Sequence, residues 1–303
     1  MGDGLVTLAL PVAVGIVMLG LGLTLTVADF AHVARSPRAV FVALGGQLVL
    51  LPLVCLGLVL AADLRPELAV GMMLLAASPG GPLSNLFSHL AGGDVALNIT
   101  LAAVNSVISV VTLPLVVNLS VDHFLGSSSE LGLQADKVAQ VFVIVLVPVA
   151  LGMLARRYAP DAAARAERKV KVASLAVLVV VIAGAAVQNG SELRAGLTSI
   201  APLALLFCLI SLTVGYWVPR LARVGDRQAV ASALEIGLHN GAIAIAIALS
   251  PALLDSAEMA LPAAVYGLLA FVPAGLFVAV RAARMRRTPG AADRPPSAAP
   301  VRG

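Results

Sequence analysis

The sequence predicts an all-α polytopic membrane protein of about nine transmembrane helices, folded as inverted repeats that each carry one broken helix. Three observations predict it. Of the 303 residues, 60% are hydrophobic and 12% charged, with a mean hydropathy of +1.00, whereas soluble domains carry about 25% charged residues. Apolar runs of roughly 20 residues recur along the chain, the length a bilayer core demands of a helix. Seventeen of the twenty Lys and Arg residues fall into one alternate set of the gaps between those runs.

The first run covers 5–27. No basic residue precedes it, and it passes straight into Asp29, His32, Arg35 and Arg38, so it reads as a retained span and not as a cleaved signal peptide. Further spans are predicted at 38–60, 68–89, 95–118, 138–155, 171–187, 197–219, 228–250 and 257–280. The third holds Ser78-Pro79-Gly80-Gly81-Pro82 near its middle, and two prolines there release backbone hydrogen bonds that a continuous helix needs. The eighth is loosened by Gly237 and Gly241 around a polar group. Cys55 and Cys208 sit within apolar runs and read as buried small hydrophobes, not a disulfide or metal pair. Thr288 to Gly303 is rich in Pro and Ala and reads as a disordered cytoplasmic tail, leaving 1–287 as the membrane domain.

The basic gaps set the orientation. Arg35, Arg38, the stretch from Arg156 to Lys171, Arg220, Arg223, Arg227 and the residues from Arg281 onward share one side; Arg65, Lys137 and Arg194 take the other. Basic loops stay cytoplasmic, so an odd number of spans places the N-terminus outside and the C-terminus inside a plasma membrane. The net charge of +4 is then a topological signal, and a nucleic-acid partner is not expected.

Glu235 is the only acidic residue in the interior of an apolar stretch. An ionised carboxylate at bilayer depth must be paired, protonated or turned to a polar cavity. Spans three and eight enter from opposite sides, and interrupted helices in opposed repeats build midplane ion and substrate sites. Ser78, Ser84, Asn85 and Ser88 on span three, Asn98, Thr100, Asn105, Ser106 and Ser109 on span four, and Gln47 on span two supply oxygens that suit a hard cation such as sodium. For single hydroxyls, Ser106 and Ser109 among them, bonding within their own helix is the plainer reading, and Asn105 can equally cross-link helices.

The segment Pro79-Gly80-Gly81-Pro82-Leu83-Ser84-Asn85 with Gly93-Asp94-Val95-Ala96-Leu97-Asn98 resembles the crossover region of the bile acid:sodium symporter family. Met18 to Thr26 ahead of Asp29-Phe30, Gln47 to Pro52 and Glu235 to Asn240 resemble it as well, so the likeness runs from about residue 10 to 280. It implies a secondary transporter of organic anions in which the two broken helices cross. It implies a core of spans 38–118 and 197–280 and a panel of spans 5–27 and 138–187. One implied sodium site falls on Ser84, Asn85, Asn98 and Glu235, with Ala102 where the family has Thr. A second falls on Gln47, Glu235 and the carbonyls of Ile236 and Leu238, with His239 in place of a Gln. Asn240 matches a residue close to substrate, and His239, Pro79 and Gly80 complete the expected substrate set. A His-Asn pair of some members falls on Ala270 and Phe271, which argues against a bile-acid-like substrate.

The expectation is sodium-coupled import of a small organic anion by alternating access. The same fold run on protons or as an exporter is the runner-up, and a membrane sensor is a third class. His239 titrates near neutral pH when unperturbed, so it marks the place where proton use would enter. No nucleophile–base set can be assembled from these spans, and the chain is not expected to be an enzyme or to hold a cofactor.

Overall fold

The computed structural model describes residues 32–81, 83–126, 135–166, 190–250 and 253–287, with 15, 16, 18–20, 22, 23, 26 and 169. Most of the first expected span, all of the sixth (171–187), Pro82 and the tail from 288 lie outside the described residues.

Among the described residues the chain is helical, with one isolated β-bridge. Helix α1, Pro37–Ala61, begins with a proline in its first turn, where the missing N–H costs nothing. Its middle widens into a π-turn at Gly46–Leu50, where the Leu51 N–H donates to the Gly46 carbonyl five residues back. Pro52 explains the widening: it withholds the donor that the Leu48 carbonyl would use, and the ladder slips by one residue. Helix α2 is Pro66–Ala77 and α3 is Ser84–Leu90. Helix α4, Val95–Phe124, is capped by Asp94, whose Oδ1 accepts from the Leu97 N–H at 3.1 Å.

Sequence reading gave α4 as a plain span over 95–118; it runs longer and bends by 54° about Val110. Pro114 is the cause, since a proline ring collides with the carbonyl four residues before it. Helix α5 is Ala135–Tyr158, α6 is Gly190–Leu221, α7 is Asp226–Gly237 and α8 is Gly241–Leu249. Helices α9, Ala257–Leu269, and α10, Phe271–Arg287, form one span over Ala257–Met285. With Pro37–Ala61 and Thr198–Leu221 this makes, among the described residues, three helices long and apolar enough to cross a bilayer, or four if bent α4 is one span. The pairs α2/α3 and α7/α8 are each too short to cross except together.

Those two pairs form the centre. Every residue of α2 from Leu68 to Ala77 and of α7 from Ala229 to Gly237 is buried, the pattern of a helix enclosed on all sides. Helix α7 packs on α6, α4 and α3, and α2 on α9, α4 and α1. Backbones touch where α2 crosses α9: a Cβ on Gly71 would stand 2.3 Å from the Met259 carbonyl oxygen. Val107, Val111, Leu115 and Leu119 of α4 are exposed at four-residue spacing, as a lipid-facing stripe requires.

Charged contacts close the two ends of the Ala257–Met285 span. At one end Arg65 meets Glu258 at 3.6 Å. At the other, Arg281 pairs with both oxygens of Asp226, Tyr216 donates to Asp226 at 2.7 Å, and the guanidinium lies 5.9 Å from the Tyr216 ring centre. Partial burial pushes the Asp226 carboxyl up, but the hydrogen bonds from Tyr216 and Arg281 and the charges of Arg281 and Arg220 outweigh it and hold the group below its ordinary 3.8. A depressed folded-state pKa gives stability that is present above the unfolded value and lost as pH falls through the folded one. Asp226→Asn is therefore expected to lower the melting temperature at pH 7 by roughly 1–3 °C, as suits a half-exposed pair. That difference should shrink as pH falls through the folded-state pKa of Asp226; thermal melts of both proteins from pH 7 into the acid range check it.

Candidate functional site at the helix crossing

The first break follows from Pro79. A residue before proline is pushed out of the helical region, and Ser78 is extended at φ −71, ψ 146. Its hydroxyl turns back to the Leu75 carbonyl at 2.7 Å. The second break has no proline. Leu238 leaves the helix at φ −118, ψ 73, and Asn240 restarts it as the N-cap of α8, its Oδ1 accepting from Ile243 N–H at 3.3 Å. Each break satisfies the other: Gly81 N–H donates to Leu238 O at 2.5 Å and Asn240 N–H to Pro79 O at 2.8 Å, an antiparallel bridge of Gly80 with His239. In an apolar interior these backbone groups have no water to turn to, which explains why the two interruptions lie against each other.

Gly80 is required by the approach. A Cβ there would stand 2.0 Å from Glu235 Oε1 and 2.7 Å from the Glu235 carbonyl oxygen. Glu235 itself is fully buried. Its Oε2 lies 2.5 Å from Ser84 Oγ, and Ser84 Oγ lies 3.0 Å from Asn98 Oδ1. Asn98 Nδ2 donates to the Ala231 carbonyl at 2.8 Å, which fixes the amide so that its oxygen faces Ser84. One hydroxyl proton thus stands between two acceptors. Glu235 Oε1 is buried without a well-formed hydrogen bond, the Gly80 backbone N–H being the donor within reach of the carboxylate; Asn85 Oδ1, next in sequence to Ser84, is buried and without a partner. Among the described residues no Lys or Arg forms an ion pair with Glu235. With Glu235 ionised the cluster holds more acceptors than protons, an imbalance that a bound cation or a proton on the carboxylate corrects.

The residues expected at the second site divide. Gln47, in the π-turn of α1, points Nε2 at the Ser78 carbonyl at 3.5 Å, and His239 Nδ1 lies 3.4 Å from the same oxygen. A carbonyl only accepts, so the contact calls for a proton on Nδ1, while Nε2 is buried and without a partner. The His239 ring stacks on Phe207 at 5.3 Å and meets Tyr266 edge-on at 5.5 Å. Ile236 is buried, and the Leu238 carbonyl is engaged by Gly81. Ala102, 6% exposed, follows Asn98 by one turn.

Of the residues the sequence singles out, Ser84, Asn98, Glu235, Gln47, His239, Asn240, Pro79 and Gly80 meet at the crossing, while Asn85 follows Ser84 in α3 with its amide oxygen buried and without a partner. Sequence reading missed Phe207 and Tyr266, whose hydroxyl donates to the Gly237 carbonyl at 2.8 Å. Aromatic residues in apolar spans carry no sequence signal that separates a site wall from ordinary packing. Thr100 and Ser106 donate to carbonyls four residues back, and Ser109 to one three residues back, all within α4.

The model of the Sodium Bile acid symporter family matches residues 11–195. An uncharacterized sodium-dependent transporter of Bacillus subtilis, YocS, is 27% identical over 234 residues, covering 77% of this chain and 71% of that protein. The human sodium/bile acid cotransporter 4 is 32% identical over 274 residues, 88% of this chain and 62% of its own length. A probable chloroplastic sodium/metabolite cotransporter of rice, BASS2, is 27% identical over 238 residues, 78% of this chain and 55% of its own. The chain thus spans less than two thirds of the latter two relatives. With more than half of its length matched by the family model, this chain belongs to the sodium/bile acid symporter family.

Proposed function

We propose that the protein is a secondary transporter that couples sodium to the movement of a small organic anion, most simply import by alternating access. The observation that carries the reading is the buried oxygen cluster of Glu235, Ser84 and Asn98 at the meeting of two broken helices, with Asn85 beside Ser84 as a further candidate ligand. A sodium ion there would be cargo. It would neutralise Glu235, hold α3 against α7 and set the crossing for the anion. Because ion and anion share the crossing, binding of one raises affinity for the other, and linkage makes that reciprocal. The names of the relatives, sodium-dependent transporter and sodium/metabolite or sodium/bile acid cotransporter, support sodium as the coupling ion.

Asn240 and the start of α8 offer the anion a polar contact and the positive end of a helix. Gln47, His239 and the carbonyls of Ile236 and Leu238 form the second flank; there the two side chains present N–H groups to one carbonyl, a poor setting for a cation. We place nine spans in inverted repeats around the crossing, with the core and panel division given above. In this reading Arg156 to Lys171 faces the cytoplasm. Arg165→Cys should then react with a membrane-impermeant thiol reagent only after cells are permeabilised; labelling from outside would overturn the orientation.

A thermal-shift screen of carboxylates and sulfonates, in sodium and in potassium, identifies the anion. Its uptake into proteoliposomes is then measured under a sodium gradient alone and a proton gradient alone. Sodium should drive uptake in wild type and in His239→Gln alike. A proton-driven signal that disappears in His239→Gln would replace sodium by a proton carried at His239.

A further inference from the structure

Two buried polar side chains flank the Glu235 cluster and take no part in it. Ser88 is fully buried, and its Oγ has no partner. Hydroxyls in these helices ordinarily donate to the carbonyl four residues back, as Thr100, Ser106, Thr112, Ser120 and Thr213 do. Ser88 does not. It lies one turn beyond Ser84 on the same face of α3, toward the Arg281 end. A Cβ on Gly93 would stand 2.5 Å from Ser88 Oγ and 3.1 Å from Val230 Cγ1, so the glycine leaves that hydroxyl its space.

Asn105 lies toward the Arg65 end. It is 1% exposed, and neither its amide oxygen nor its nitrogen has a partner. Asn98, Ala102, Asn105 and Ser109 form one buried stripe of α4, opposite exposed Val107, Val111 and Leu115. Asn105 is two turns from Asn98, about 10 Å along the axis. A hard cation holds oxygens at roughly 2.0–2.6 Å, so one ion cannot touch both. Unsatisfied polar groups in an apolar interior cost stability, and Leu and Ala would pack these places without that cost.

We propose that Asn105 and Ser88 are stations for the coupling cation, one on each side of the Glu235 cluster, along a line of buried oxygens joining the Arg65 end to the Arg281 end. The proposal rests on reading the cluster as a cation site. Each station offers a neutral oxygen and no carboxylate. It therefore holds the ion weakly, as a path must if ions are to leave as well as enter.

The test is anomalous diffraction from crystals of the full chain soaked in increasing thallium(I), a heavy monovalent cation, with and without competing sodium, for wild type, Ser88→Ala and Asn105→Leu; sodium should displace every peak that belongs to the path. The strongest peak should lie among Glu235, Ser84 and Asn98. Weaker peaks beside Asn105 Oδ1 and Ser88 Oγ should need at least about tenfold more thallium. Each variant should erase its own weak peak, leave the main peak and melt no lower than wild type. A main peak with nothing at either station up to saturation overturns the proposal and leaves the cation site standing. So does a lower melting temperature with unchanged peaks, which would make the residues structural. No peak at Glu235 removes the cation site itself, and the stations with it.

Discussion

Glu235→Gln is expected to reduce sodium affinity by two to three orders of magnitude while leaving the fold intact. The substitution keeps the shape and one oxygen but removes the one carboxylate that, among the described residues, stands in the cluster. Breaking a buried charge pair from one side costs about 3–5 kcal/mol, and each 1.4 kcal/mol is about tenfold in a dissociation constant. Removing a buried carboxylate that has no cationic side chain beside it should not lower the melting temperature measured without sodium. Isothermal titration of the purified protein with sodium chloride, against potassium chloride as control, measures the first effect. Equal sodium affinity in Glu235→Gln and wild type would exclude the carboxylate from the site.

Gly80→Ala is expected to act on the crossing as a whole. Its methyl group would fall on the Glu235 carboxylate and close to the Glu235 carbonyl, in the stretch where Gly81 and Asn240 bond the opposite break. Overpacking of this kind costs about 1–3 kcal/mol when neighbours can shift. Here the neighbours are backbone and a buried carboxylate. We expect destabilisation at the top of that range together with loss of sodium binding. Gly57→Ala, where an added Cβ meets nothing within 4 Å, serves as the control and should behave as wild type. Thermal melts and sodium titration of both variants check this.

Much of the centre was legible in the sequence because membrane physics leaves few readings for certain residues. Pro79 and Pro82 within one apolar run mean a broken helix, and a single Glu235 at bilayer depth marks a candidate site. Asn98 was placed there only through family resemblance; nothing in its spacing distinguishes it from Asn105 on the same stripe. What stayed hidden is long-range. That the Gly80 stretch would pair with His239 depends on where α2 and α7 meet, which no local pattern encodes. The π-turn around Gln47 and the bend in α4 follow from Pro52 and Pro114, yet a proline in a membrane helix signals a disturbance without fixing its form. In the sequence His239 is a departure from a ligand pattern; its contact with Ser78 and its stack on Phe207 depend on how distant helices pack.

The central claim is that sodium binds between the two broken helices. The most direct test is the melting temperature of purified wild-type protein as a function of sodium, with potassium at equal ionic strength as reference. A ligand that binds only the folded state stabilises it by about 2.7 kcal/mol at a hundredfold excess over its dissociation constant. The account predicts a saturating rise with sodium well above that with potassium. Equal and non-saturating responses to the two salts would contradict it.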